Sequence, residues 1–446
     1  MASSLVLLTV GRNPLPCLVQ AYRIATYVYH QEGAYPDFLV IQTRPDESDR
    51  IRDFLIKRLE RDRASPVALS WSSIPIEDKG DPAEIYRKVS AAVSRFKKQI
   101  AVHCAYTGGT SAMGIHSFEA AKGHFESVHA GYLDDNTHRV RSRSEIDYYA
   151  AIPGRTDERT HWTFSSEDLA KLHGWTERPS KPISPGVVQL GTEFLKLLLL
   201  SDRKSYYNWQ NSWKKAFRGN KGREVWIDHL PAPQWPKTAL NWFPRGNSLW
   251  HEMGLKMKKQ FGADPVWTES AAGLAIRPMF ENREFIIPLY HFLDSQSLEL
   301  YVYSVLRRLL MPSIPVVHSV KFRSSPGPDK DFELDVVAVL GYQLLGISCT
   351  ISDSYKNCKV KAFEVLHRAA QIGGIQTCAV IVSMLNSDDV DSLQKDMADE
   401  TGNNPNALKI FGRDMLADVV SDNPQKLYQA FARHLDKLKW NGVAGV

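Results

Sequence analysis

The chain has 446 residues, of which 43% are hydrophobic and 24% charged, with a formal net charge of +5. That length exceeds one ordinary core and calls for two or three domains. The near balance of charge excludes a basic tail, so any contact with nucleic acid must come from a local cleft. The five cysteines (Cys17, Cys104, Cys349, Cys358 and Cys378) form no CxxC pair, which argues against structural zinc and against a disulfide framework.

From residue 1 to about 130, strands and helices are expected to alternate. SLVLLTV reads as a buried first strand, with no basic stretch before it that would make it a signal peptide. Leu15 to His30 is helix-like and DFLVIQT is a second strand. Asp49 to Arg61 is a charged amphipathic helix, and Val67 to Trp71 a third strand. Pro82 to Lys97 is another helix. QIAVHCAYTGG is a fourth strand that enters a glycine turn, and Ser111 to Gly123 is the helix beyond it. This alternation predicts a parallel, doubly wound sheet, whose ligands bind beyond the carboxyl ends of its strands.

Residues 131–260 are less regular and read as a small helical or winged-helix-like linker region. SSEDLAKLHGW carries a serine cap, an acidic first turn and a glycine stop. Val187 to Leu200 is an apolar helix, and Trp209 to Phe217 has helical spacing. Lys214, Lys215, Arg218 and Lys221 offer either nucleic-acid contact or a solvated basic face, the second being the commoner case. No apolar run is long enough to cross a bilayer, so the expectation is a cytoplasmic chain with no membrane partner.

Residues 261–446 form the third block. GLAIRPMFENREFIIPLYHF is expected to be a hairpin turning near Asn282, and Ser297 to Leu310 a helix. SVKFRSS and FELDVVAVL are strands joined by a Pro-Gly-Pro turn. LLGISCT, a helix from Lys359 to Ile372, the strand TCAVIVSML, a short strand at Leu408 to Phe411 and a helix near Pro424 to Leu438 complete the chain.

Two loops carry candidate binding residues. YTGGTSAMG follows a buried strand and opens a helix. Gly108 and Gly109 allow close backbone approach to a phosphate, and Thr107, Thr110 and Ser111 add hydroxyls beside unpaired helix N–H groups. After the first strand come Thr9, Gly11, Arg12 and Asn13, which in a doubly wound sheet can line the same edge. Taken alone, a glycine turn is more often only a tight turn. Together these residues resemble the CARF domain, the Rossmann-like sensor of CRISPR-associated proteins. Nuclease-fused members typically carry Thr-Gly-Gly-Thr followed by lysine, and here Ser111 stands in that lysine's place. The resemblance implies a homodimer that binds a cyclic oligoadenylate across its axis.

The run FELDVVAVLGYQLLGISCT, followed by a helix with a polar stripe, resembles the core of PD-(D/E)XK nucleases, a restriction-endonuclease-like α/β fold. The resemblance implies that Asp335 and Glu299 hold a divalent metal, Mg or Mn, and that the substrate is RNA or DNA. The family's acidic and lysine positions are occupied by Ser348 and Thr350. Lys361, Glu364, Arg368 and Gln371 form one helical stripe. Some relatives move the lysine or the acid onto this helix. Lys361 is then expected to replace the missing lysine and Glu364 the missing acid, as a further metal ligand. The plainer reading of the stripe is a solvated face with a Glu364–Arg368 pair. The expected whole is a sensor (1–130), a linker region (131–260) and a nuclease-like domain (261–446). It would act as a type III CRISPR ancillary effector, a cyclic-oligoadenylate-activated nuclease. The alternative is a catalytically degenerate nuclease fold that serves as a sensor or ligand scavenger.

Overall fold

The computed structural model describes residues 4–438 except 97–99, 135–136, 143–145, 151–156, 179–181, 201–239, 245–247, 263–265, 278–279, 325–330, 403–406 and 421–424. The helix expected at Trp209 to Phe217, the basic residues Lys214, Lys215, Arg218 and Lys221, and the Pro-Gly-Pro turn lie outside the described residues.

The first unit runs β1 (Ser4–Val10), α1 (Pro14–Glu32), β2 (Asp37–Gln42), α2 (Pro45–Arg63), β3 (Trp71–Pro75), α3 (Pro82–Val93), β4 (Ala101–Ala105), α4 (Ser111–Lys122), β5 (Ser127–Asp134) and β6 (Arg139–Ser142). The sheet order is β3-β2-β1-β4-β5-β6. All pairs are parallel except β5 with β6. This is the doubly wound, Rossmann-like sheet that the alternation predicts. Both faces are covered, which is why β1 is buried at every position. Leu5 and Leu7 pack with Ile85, Val89 and Met113 of α3 and α4, whereas Val6 and Leu8 pack toward α1 and α2.

The remainder runs α5 (Ser166–Leu172), β7 (Trp175–Arg178), α6 (Pro185–Leu200), β8 (Leu240–Pro244), α7 (Ser248–Phe261), β9 (Trp267–Ser270), β10 (Gly273–Ile276), α8 (Arg283–His291), α9 (Ser297–Leu309), β11 (Val316–Ser324), β12 (Asp331–Leu340), β13 (Gln343–Cys349), α10 (Tyr355–Gly373), β14 (Cys378–Val382), α11 (Ser387–Glu400), β15 (Leu408–Phe411) and α12 (Lys426–Lys437). A second six-stranded sheet has the order β15-β14-β13-β12-β11-β7, and a small antiparallel sheet has the order β8-β10-β9. In the large sheet β7, β11, β12 and β13 pair antiparallel, while β13, β14 and β15 pair parallel. The segment 131–260 thus contributes β6 to the first sheet, β7 to the second and β8 to the third.

One apolar core is shared by both large sheets. It passes from Val6, Leu15 and Leu18 through Leu169 of α5 to Leu334, Leu344, Ala362 and Ile381. Helix α1 lies in its middle and is buried without interruption from Pro14 to Ala25. Even Arg23 is buried, with Nε 2.6 Å from the buried carboxylate of Glu158, which also accepts from Tyr149 Oη at 2.7 Å. Proline at its start and Gly33 at its end, with φ of 72° and its N–H on Tyr29 O, delimit α1. The second face of the C-terminal sheet packs on α6, α9 and α12 through Phe194, Val302 and Phe431.

Two expectations are corrected. The third strand begins at Trp71, where it pairs with Phe38, and ends at Pro75; Val67 is buried but precedes the pairing. The hairpin expected to turn near Asn282 is the pair β9–β10, and residues 283–291 are helical. The buried Ile286 and Leu289 are three apart, a helical spacing that the β-branched composition of this stretch masked.

Candidate functional site

Strand order reverses between β1 and β4, so the loops after these neighbouring strands meet at one edge of the first sheet. Seven of the nine candidate ligand residues lie on these two loops, while Thr9 is the penultimate residue of β1 and Ser111 opens α4. Their glycines interlock: a Cβ on Gly109 would lie 2.7 Å from Thr9 Cβ, and one on Gly11 would overlap Gly108 O. Thr9 is buried and donates through Oγ1 to Ala105 O at 3.2 Å. Thr107 Oγ1 accepts from Leu133 N at 2.8 Å and from Gln20 Nε2, fixing the loop to β5 and α1. Thr110 caps α4 by accepting from Met113 N at 3.2 Å, and donates to Lys79 O. Arg12 and Ser111 are exposed. The threonines and glycines therefore build the edge, while Arg12, Ser111 and the open turn of α4 face outward.

Asn13 faces the C-terminal unit instead. Its amide oxygen is recorded 3.3 Å from His173 Nε2, and its amide nitrogen is without a partner. His173 Nδ1 is 3.0 Å from Leu169 O, which can only accept, so Nδ1 carries the proton. Burial lowers this histidine to about 4, so the ring is neutral and Nε2 is an acceptor. One flip of the Asn13 amide supplies the donor and removes the orphan nitrogen.

The second cluster lies on the C-terminal sheet. Asp335 of β12 is only partly open to solvent. Its Oδ2 accepts from Cys349 N at 2.6 Å and from Ser348 Oγ at 3.1 Å. Burial and the nearby charge of Glu299 push its carboxyl up to about 8, against the opposing pull of the Cys349 N–H and of Lys361. Glu299, on the first turn of α9, is buried. Lys361 is exposed and lies 3.2 Å from Glu364, which also pairs with Arg368. Glu364 is thus engaged by its own helix, and no contact joins it to Asp335. Thr350 does not reach Asp335: its Oγ1 accepts from Ser352 N at 3.2 Å. The buried Cys349 thiol is raised by burial and by the neighbouring Asp335 and Glu299, so it is no nucleophile.

One residue here was missed in the sequence. His318 of β11 is 4% exposed, and its Nε2 lies 3.4 Å from Glu299 Oε2. Burial lowers it to about 4 despite Asp335 and Glu333 nearby. A lone histidine inside VVHSV was the available signal.

Among the described residues, no three His, Cys, Asp or Glu side chains stand already arranged to hold a metal ion. The chemistry nonetheless fits a divalent cation at Asp335 and Glu299. The nearby Glu299 raises the buried Asp335 carboxyl, and Lys361, whose charge opposes that shift, is paired with Glu364. Glu364 does not join that donor set.

No family model matches the chain, and no curated protein is similar to it in sequence. Solved structures are similar to it in fold. VC1899 from Vibrio cholerae covers 97% of this chain and 99% of its own, at 16% identity and a TM-score of 0.58. Can2 from Sulfobacillus thermosulfidooxidans, solved in complex with cyclic tetra-adenylate, covers 98% of this chain and 97% of its own, at 14% identity and a TM-score of 0.47. A type III CRISPR defence DNA nuclease activated by cyclic oligoadenylate covers 85% of this chain and 45% of its own, at 16% identity and a TM-score of 0.38. The likeness to VC1899 establishes the fold across both sheets, and the two lower scores add nothing to that.

Proposed function

We propose that this protein is a CRISPR ancillary effector of the CARF type, in which a cyclic oligoadenylate bound by the first unit controls a metal-dependent nuclease site in the second. The observation that carries the reading is the surrounding of Asp335. A carboxyl in an antiparallel hairpin is fixed by Ser348 and Cys349 and lies within the fields of Glu299 and Lys361. When bound, a divalent ion supplies an activated water and offsets charge on the phosphodiester. Asp335 and Glu299 would hold it. The Cys349 N–H and Ser348 hydroxyl orient Asp335, and Lys361 places positive charge beside the reacting phosphate.

The Arg12 guanidinium, the Ser111 hydroxyl and the α4 N-terminus suit the phosphates of the regulatory ligand. A homodimer would bring two such edges together. Asn13 ties this edge to the nuclease unit through His173 and Gly374, so a ligand that shifts the Gly11–Asn13 loop acts on the end of α10. Such a ligand shifts the equilibrium only by its differential affinity for the two arrangements.

A second reading is favoured by one contact. Ser348 donates to Asp335 where a carboxylate or lysine would do chemistry, as expected of a ligand-binding sensor or scavenger on a retired nuclease fold. Cleavage of labelled single-stranded RNA, single-stranded DNA and supercoiled DNA with Mg²⁺ or Mn²⁺, with and without each cyclic oligoadenylate, separates the two. Ligand-dependent cleavage that disappears in Asp335→Ala supports the nuclease. Tight ligand binding without cleavage supports the sensor. Neither binding nor cleavage overturns both.

A further inference from the structure

We propose that the first unit regulates the Asp335 hairpin through its turn, with the contact between His138 and Tyr342 coupling that turn to the glycine loop after β4. This adds a regulatory route to the proposed function and rests on that reading.

The turn between β12 and β13 consists of Gly341 and Tyr342 alone, since Leu340 pairs with Gln343. A connecting turn ordinarily runs over the surface. This one is buried, with Tyr342 0% exposed, and three successive residues are held from outside the second sheet. Phe164 N donates to Gly341 O at 3.0 Å. Tyr342 Oη lies 3.1 Å from His138 Nδ1. Arg159 Nη1 donates to Gln343 Oε1 at 2.9 Å. Gly341 has φ of 62°, and a Cβ there would overlap Arg159 O, so the fit requires glycine.

From His138 the bonding continues to the glycine loop. Its N–H donates to Asp134 O at 2.8 Å. Asp134 ends β5 and follows Leu133, whose N–H donates to Thr107 Oγ1 at 2.8 Å. In the other direction Gln343 opens β13, and Cys349 at the far end of that strand holds Asp335 Oδ2 by its N–H. The strand spans about 20 Å between them, and it is paired with β12 from Gln343 to Ile347. A displacement of the turn is therefore carried along both strands toward the carboxyl. The route shares no residue with the contact of Asn13 with His173 and Gly374.

Two features give it alternative arrangements. His138 has φ of 49°, uncommon for a residue with a side chain. Its carbonyl accepts from Glu158 N at 2.9 Å. Glu158 is joined to Arg23 by the Nε bond alone, and Arg23 Nη1 and Nη2 and Glu158 Oε2 have no partner. A turn of the guanidinium onto both carboxylate oxygens would satisfy them in a second, forked arrangement. A cyclic oligoadenylate on the glycine loop selects between such arrangements by its differential affinity, and the coupling is reciprocal.

The test is amide hydrogen exchange on the full-length protein, alongside calorimetry, with cyclic tri-, tetra- and hexa-adenylate as probes. In wild type, a ring that binds is expected to slow exchange over residues 340–349 by about fivefold or more. Tyr342→Phe removes the hydroxyl, and His138→Asn keeps a residue that tolerates the left-handed backbone but is too short to reach Tyr342. Both variants are expected to lose that protection, with affinity for the ring changed by no more than the same factor. Ligand stimulation of cleavage should fall in both, while cleavage without ligand stays at the wild-type rate. A ring that binds wild type yet leaves exchange over 340–349 unchanged, or protection that survives in both variants, overturns the coupling and leaves the proposed function standing. Failure of wild type to bind any of the rings overturns the ligand reading and the coupling together.

Discussion

Asn13 and Gly374 touch across the two units so closely that a Cβ on Gly374 would overlap the Asn13 amide. Gly374 also has φ of 72°, in the left-handed region. Gly374→Ala is therefore expected to destabilise the protein by about 1 kcal/mol or more. Thermal melting of Gly374→Ala, Asn13→Ala and the double variant checks this. Removing the amide should recover the clash and leave the backbone penalty. Additive effects would mean that the contact is not formed.

The Asp335 carboxyl gives a pH dependence with a definite sign. Its folded value, near 8, lies above the ordinary 3.8. The contribution of the protonated form is complete below pH 3.8 and is lost as pH rises through 8. In metal-free buffer, wild type should lose stability, relative to Asp335→Asn, on the order of a few kcal/mol between those limits. Melting temperatures of the two proteins from pH 4 to 9 with a chelator provide the measurement. Parallel curves would show that Asp335 ionises normally.

Arg12 is exposed and carries none of the loop-to-loop bonds. Arg12→Ala should leave the melting temperature unchanged while weakening cyclic-oligoadenylate binding by about tenfold or more, the loss of a charge-assisted bond. Thr110→Ala, which removes the α4 cap, should lower both stability, by about 1 kcal/mol, and affinity. Calorimetry alongside melting separates the two effects, and unchanged affinity in both variants moves the ligand elsewhere.

On α10, Lys361→Ala should reduce cleavage by about a hundredfold without unfolding the exposed helix face. Glu364→Gln releases Lys361 and Arg368 together and should have the smaller effect. Steady-state rates on one substrate decide. Equal wild-type rates in both variants would return the stripe to a solvated face.

The buried Arg23–Glu158 pair tests the shared core. Glu158→Ala leaves a buried guanidinium uncompensated and should destabilise by about 3–5 kcal/mol, whereas Arg23→Met with Glu158→Leu should recover much of it. Denaturant unfolding of the three proteins gives the comparison.

Much of the architecture was legible because it is written in local patterns: apolar strands of fixed length, helix caps such as Ser165, and the strand-end glycine turn. Asp335 was legible too, since a carboxylate inside LDVV needs a partner. What was illegible depends on contacts distant in sequence. Nothing local says that Asn13, four residues after Thr9, turns away from the glycine-loop edge to His173. His318 could not be assigned a face, because simple alternation fails at Ser319, whose left-handed φ leaves no mark in the sequence. The Ile286–Leu289 helix was obscured by residues that favour strands, and packing overrode that preference.

The uninterrupted burial of α1 bears on how such a chain can evolve and be engineered. Helix α1 packs on the first sheet and α2, and its apolar residues belong to one core with those of α5, α10 and the second sheet. A cut between the units would expose the apolar side of α1 on one fragment and the faces of α5 and α10 on the other, inviting aggregation of both. Exchange of the first unit between proteins of this fold would thus have to carry the facing surface along. Substitutions along α1 should covary with residues more than three hundred positions away.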